Sequence, residues 1–186
     1  MTLNQSGQLN SQLESIGVFV TSTWIEHMLD KGISELNQLI LVYLNSDLYS
    51  LMSPDSALPR YEDLEEVYIQ RPLVLQIEEI INIGVSMEQR NSDQNATFKI
   101  FLTDGHRIVV GLLVDRIPGM SWHTVTGSKV LVLEGYIRRN VLLLHSRNCK
   151  YLGGREIMRR DDWSSDSMAE EKQPSEIRAE YGICDM

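Results

Sequence analysis

Cysteine is scarce in this chain: Cys149 and Cys184 are the only two among 186 residues. Two thiols cannot staple a disulfide framework or furnish a Cys-rich zinc site, and so low a count fits a reducing compartment. Long apolar runs are missing as well. None approaches the ~18–20 residues of a membrane helix, and Met1-Thr2-Leu3-Asn4-Gln5-Ser6-Gly7 has neither the basic nor the apolar region of a secretory signal. Basic charge is in deficit, 17 Lys and Arg against 26 Asp and Glu, which gives a net charge of −9. Such acidity argues against tight electrostatic binding of nucleic acid. Catalytic signatures are absent too. His27, His106, His123 and His145 show no metal-ligand spacing, and there is no H-E-x-x-H, G-x-S-x-G, P-loop or G-x-G-x-x-G. The expectation is a protein that is not an enzyme and uses neither metal nor cofactor.

What is present suffices for one domain with attachments. Hydrophobic residues make up 42% of the chain, and the charge is unevenly spread. Residues 1–71 hold 3 basic and 10 acidic residues, residues 72–154 hold 9 and 7, and residues 155–186 hold 5 and 9. A near-neutral middle is thus flanked by two acidic regions, which are either solvated or turned toward a basic partner.

The period of the apolar residues divides the chain further. Residues 1–11, rich in Asn, Gln and Ser, read as a disordered start. Thr23-Trp24-Ile25-Glu26 has the pattern of a capping box, and Gly32 suits the end of that helix. Ser34 can cap the next, where Leu36, Leu39, Ile40, Tyr43, Leu44, Leu48 and Leu51 share one side until Ser53-Pro54. Residues 12–53 are therefore expected to form a small helical bundle, and residues 54–71 an acidic, Pro-bearing linker that wraps rather than folds. From residue 72 the pattern turns to strands: Leu73–Ile83, Thr97–Thr103, His106–Val114, Lys129–Tyr136 and Val141–Ser146. Asp104-Gly105 predicts a type I′ hairpin. Five short strands with a longer third connection describe an OB-fold β-barrel over residues 72–154. The expected class is α+β, a helical bundle packed on that barrel, with an acidic, mostly disordered tail over residues 155–186.

Two features bear on binding. Val85–Ala96 is a polar connection of twelve residues, long for a hairpin; it is either an idle loop or an arm that orders in a partner. On the second barrel strand, alternation puts Phe98, Ile100 and Leu102 in the core and leaves Phe101 outward beside Lys99. A lone Phe of this kind is either an interface or satellite-core residue or, in a strand binder, a base platform. Arg138-Arg139 supplies two cations at a turn, too few for a nucleic-acid groove. Asp104 and His106 are close, but the turn accounts for both.

In its order of features the sequence resembles the RecQ-mediated genome instability protein family, the scaffold subunit of the RecQ helicase–topoisomerase III complex. It is also similar to the N-terminal part of a tudor-domain-containing relative that partners another topoisomerase III. The resemblance rests on Leu44-Asn45-Ser46-Asp47-Leu48, Val74-Leu75-Gln76-Ile77, Leu102-Thr103-Asp104-Gly105-His106, Gly127-Ser128-Lys129-Val130-Leu131, Val141-Leu142-Leu143-Leu144, and Asn148 with Leu152-Gly153-Gly154. It covers roughly residues 22–154.

The resemblance implies a non-catalytic, nuclear subunit that binds a type IA topoisomerase III. It would support a RecQ-family helicase in dissolving recombination intermediates (double Holliday junctions), touch DNA weakly or through the complex, and have no membrane partner. The family's gate-engaging loop falls on Val85, Ser86, Met87, Glu88, Gln89, Arg90, Asn91, Ser92 and Asp93. Lys99, Phe101, Asp104, His106, Arg138 and Arg139 are the candidate interface residues of the barrel surface. The turn at Arg139-Asn140-Val141 departs from the family by lacking Gly, and the last 32 residues leave no room for a second OB domain or a tudor domain. Two other readings are a stand-alone single-stranded nucleic-acid binder and an adaptor of an RNA-directed topoisomerase.

Overall fold

The computed structural model describes residues 2–51, 57–61, 64–89 and 96–154. The first helix, α1 (Thr2–Ser15), occupies most of the stretch expected to be a disordered start. Its composition is polar, but Leu9 and Leu13 lie four residues apart on one side, both buried in the helical core. Two apolar positions are enough to hold a helix against neighbours and too few to announce it. It ends in a Schellman motif at Gly17, whose φ is +89°. A side chain there would also run into the Pro72 carbonyl, 2.7 Å from an added Cβ. This close approach lets the Gly17 carbonyl accept from the Val74 N–H at 2.8 Å and ties the helices to the sheet.

Helix α2 spans Ser22–Asp30. Its cap is Thr21 and not Thr23: the Thr21 hydroxyl accepts from the Trp24 N–H at 3.1 Å. Its end falls where expected, with Gly32 N–H on Leu29 O and Ile33 N–H on Met28 O. Helix α3 (Leu36–Leu44) starts from Glu35, which makes no side-chain cap bond, in place of Ser34. The helix expected to run on to Leu51 is broken at residues 45–47, and α4 (Leu48–Leu51) follows as a separate turn. Polar side chains cause the break. Asn45 Nδ2 and Ser46 Oγ donate back to Leu41 O and Val42 O, and Asp47 Oδ1 accepts from Tyr49 N–H.

Among the described residues eight strands form one sheet, in place of the five expected. They are β1 (Glu66–Ile69), β2 (Leu73–Asn82), β3 (Phe98–Thr103), β4 (Ile108–Leu113), β5 (Lys129–Val132), β6 (Gly135–Arg138), β7 (Val141–Leu144) and β8 (Cys149–Gly153). The expected fourth strand is split into β5 and β6. At the split the Leu133 N–H turns to the Asn148 carbonyl, while the Asn148 side chain bonds His145 N–H and Leu143 O. Strand β1 arises inside the presumed linker and pairs with β6, and β8 extends the closing strand against β5. The order β1-β6-β7-β4-β3-β2-β5-β8 has one parallel pair, β4 with β7. Because β5 continues into β6 and β7 into β8, one kinked hairpin serves both ends of the sheet, which curls into a half-barrel.

A bulge in β2 decides which residues face the core. The register steps from Ile77↔Leu102 to Glu79↔Phe101, leaving Glu78 as the extra residue. Before it Leu73, Leu75 and Ile77 point inward; after it the inward residue is Ile80, packed against the same core. The β3–β4 turn also departs from expectation. Only Gly105 has positive φ, +92°, and Asp104 N–H bonds Arg107 O. This is the pattern of a II′ turn centred on Gly105-His106, not a I′ turn on Asp104-Gly105.

Candidate partner-binding loop and its surroundings

The long connection leaves the sheet through a fixed neck. Ile83 N–H bonds Thr97 O at 2.8 Å. Beneath it, Asn82 is 1% exposed, and its Oδ1 accepts from Gly84 N–H at 3.0 Å and from Thr97 N–H at 3.2 Å. One carboxamide oxygen thereby serves both ends of the loop. Past the neck, Met87–Gln89 form a 3₁₀ turn, with Ser86 Oγ on Glu88 Oε2 at 3.0 Å. Met87 is 75% exposed and Ile83 48%, an apolar offering on a polar arm. Val85, Ser86, Met87, Glu88 and Gln89 are thus placed beyond the neck; Arg90, Asn91, Ser92 and Asp93 lie outside the described residues.

The six surface candidates fall in three pairs. Lys99 and Phe101 share the outer face of β3, with the ammonium 4.5 Å from the ring centroid. Phe101 is nevertheless only 5% exposed. Tyr49 of α4 covers it and forms a satellite core with Phe101 and Ile108, so the outward Phe of the alternation argument is a packing residue. Asp104 is buried and fully engaged. Its Oδ1 accepts from His106 and Arg107 N–H, and its Oδ2 from Leu58 N–H at 2.8 Å. With Arg107 Nη1 on Leu58 O and the Tyr61 hydroxyl on Ile108 O, the turn pins residues 57–61 over the core. His106 is half-buried in that turn.

Arg138 is exposed, ion-paired to Glu66 through its Nε and set over the Tyr136 ring. Arg139 and Asn140 form the two-residue β6–β7 turn with φ of +47° and +64°. The register joins two of the pairs, since Phe101, Val110, Val141 and Arg138 stand in one cross-strand row.

Sequence reasoning missed the polar latch between helices and sheet. Lys129 is 0% exposed, and its Nζ donates to Ser46 O and Gly127 O, each at 2.6 Å. Gln76 Nε2 donates to Asp47 Oδ1 at 3.0 Å and to Glu78 Oε1 at 2.8 Å, while its Oε1 accepts from Leu48 N–H. Gln76 and Glu78 at alternate positions, just after the apolar start of the strand, were the available signal. Cys149 is buried in the sheet core, where burial pushes its thiol up to about 12. Among the described residues no three His, Cys, Asp or Glu side chains group as a metal site, and no helix is long and apolar enough to cross a membrane.

This loop-bearing half-barrel defines the chain's class. Residues 87–166 match the family model of the RMI1 N-terminal OB-fold domain. The resemblance seen in the motifs is to that same family, and the match covers the part of the chain from the loop through the last strand. RecQ-mediated genome instability protein 1 of Schizosaccharomyces pombe is 25% identical over 82% of this chain and 88% of its own length. The protein of that name in Arabidopsis thaliana is 29% identical over 52% of this chain and 16% of its own. Tudor domain-containing protein 3 of Danio rerio is 28% identical over 94% of this chain; the chain spans 24% of that relative's length.

Proposed function

We propose that this protein is a non-catalytic nuclear subunit that binds a type IA topoisomerase III and supports a RecQ-family helicase in genome maintenance. The observation that carries the reading is the Asn82 neck. It holds a polar arm with an exposed Met87 clear of the sheet, in a chain similar over most of its length to a RecQ-mediated genome instability protein 1. The arm's chemistry suits insertion: Met is a flexible apolar side chain that adapts to irregular surfaces. In this reading the arm contacts the topoisomerase gate and stabilises one of its states. A ligand shifts such an equilibrium only by its difference in affinity between the states. A preference of ~1.4 kcal/mol changes the open-to-closed ratio about tenfold.

The test is replacement of the loop by a short Gly-Ser turn. The thermal transition is expected to stay, and stimulation of topoisomerase III decatenation to vanish. Stimulation that survives the replacement overturns the reading. The strand-binder alternative is weakened by the burial of Phe101, the base platform the second barrel strand was expected to offer. The adaptor of an RNA-directed topoisomerase keeps its support in the similarity to tudor domain-containing protein 3, and co-purified partners separate it from the first reading.

A further inference from the structure

A groove of ≈ 250 Å³ opens at the foot of the loop. It lies between the start of β3 and the segment that follows β4. Its floor is apolar: Phe98, Leu113, Ile117 and Met120 line it with little surface of their own. Val114, 64% exposed, forms a lip. The volume is below the roughly 300–1,000 Å³ of small-molecule sites and suits one large side chain.

The rim carries unequal charge. Asp115 is occupied: its two oxygens accept from Ser146 N–H at 2.7 Å and Ser146 Oγ at 2.9 Å. Those bonds hold its carboxyl below the usual range, helped by the nearby His145 and Arg147. Arg116 stands on the groove wall, and no carboxylate among the described residues pairs with it. On a chain of net charge −9, a slot with an apolar floor, lined by Arg116 and an engaged Asp115 and with Arg147 close to that Asp, is a local exception.

We propose that this groove is a peptide-docking site for a partner segment that carries one large apolar side chain flanked by carboxylates. The side chain rests on the floor, and the carboxylates meet Arg116 on the wall and reach toward Arg147 beside Asp115. A charge-assisted contact of this kind fixes orientation, while apolar burial supplies most of the affinity. Single-stranded nucleic acid fits less well, because the floor has no exposed ring for stacking and a polyanion would meet the net charge of the whole chain. The site stands on its own geometry and does not need the loop to be an arm.

The experiment titrates the full chain into fluorescein-labelled Glu-Glu-Trp-Glu-Glu, with Lys-Lys-Trp-Lys-Lys, Glu-Glu-Ala-Glu-Glu and an oligothymidylate as comparisons, read by polarisation. The acidic Trp peptide is expected to bind saturably and at least about tenfold more tightly than the other three. Arg116→Glu should weaken it at least about tenfold, and so should Ala96→Trp, which fills the slot from an exposed position. Both variants should keep the thermal transition of the parent. Met87→Glu should leave peptide binding unchanged while impairing topoisomerase stimulation, so the two readings fail separately. Equal binding of the basic peptide, indifference to Arg116→Glu, competition by oligothymidylate or no saturable binding would each overturn the proposal.

Discussion

Asn82 is almost fully buried, and its carboxamide oxygen serves two backbone donors thirteen residues apart. Removing that oxygen leaves the Gly84 and Thr97 N–H groups short of an acceptor at the base of the loop. Each such part-buried hydrogen bond contributes about 0.5–1.5 kcal/mol. Asn82→Ala is therefore expected to lower unfolding stability in urea by about 2 kcal/mol. Asn82→Asp, which keeps the acceptor, should lose less. If the two variants lose equally, the carboxamide oxygen is not what holds the neck. Asp104 makes the same point in reverse: it stood as a candidate of the barrel's surface interface, and its carboxylate is engaged by three backbone N–H groups.

The β6–β7 hairpin shows how an element can adopt a turn that its sequence does not favour. Its two-residue connection has positive φ at both Arg139 and Asn140, which is type I′ geometry. Asn tolerates that region; Arg carries the strain of a Cβ against its backbone. Arg139→Asn with Asn140→Gly should relieve about 1 kcal/mol and raise Tm by about 2–4 °C, measured by scanning calorimetry. An unchanged or lower Tm would mean that Arg139 contributes more through its side chain than it costs in backbone.

Elements of this fold were legible in proportion to their length and period. The α3 stripe, the long β2 and the Phe98, Ile100, Leu102 core face read directly from spacing. Strands β1 and β8 did not, because four or five residues show little alternation and their partners are distant in sequence. The candidate loop was visible in its length and polarity. Its groove was not, because residues 96–98 and 113–120 meet only after folding; Phe101 was read as outward, and which of its readings holds could not be seen because its cover, Tyr49, lies 52 positions upstream.

At the scale of the molecule, the question is whether helices and half-barrel unfold as one. Two apolar cores meet at β2: Val74 belongs to the helical core, while Leu73 and Leu75 beside it belong to the sheet core. The polar latch crosses the same boundary, with Lys129 from β5 donating to Ser46 ahead of α4 and Gln76 from β2 bonded to Asp47. A buried ammonium removed from such a cluster strands its acceptors in low dielectric, at a cost of about 2–4 kcal/mol. Because the bonds span both parts, that loss should fall on both. Trp24, buried among the helices, reports on one part when Trp122 and Trp163 are replaced by Phe. Amide exchange at Ile100 and Leu142, inside the sheet core, reports on the other. In urea the two probes are expected to give one coincident transition, which Lys129→Ala moves to lower urea for both together. If Trp24 fluorescence is lost well before the sheet amides exchange, the helices are a separately melting attachment and the latch does not couple them.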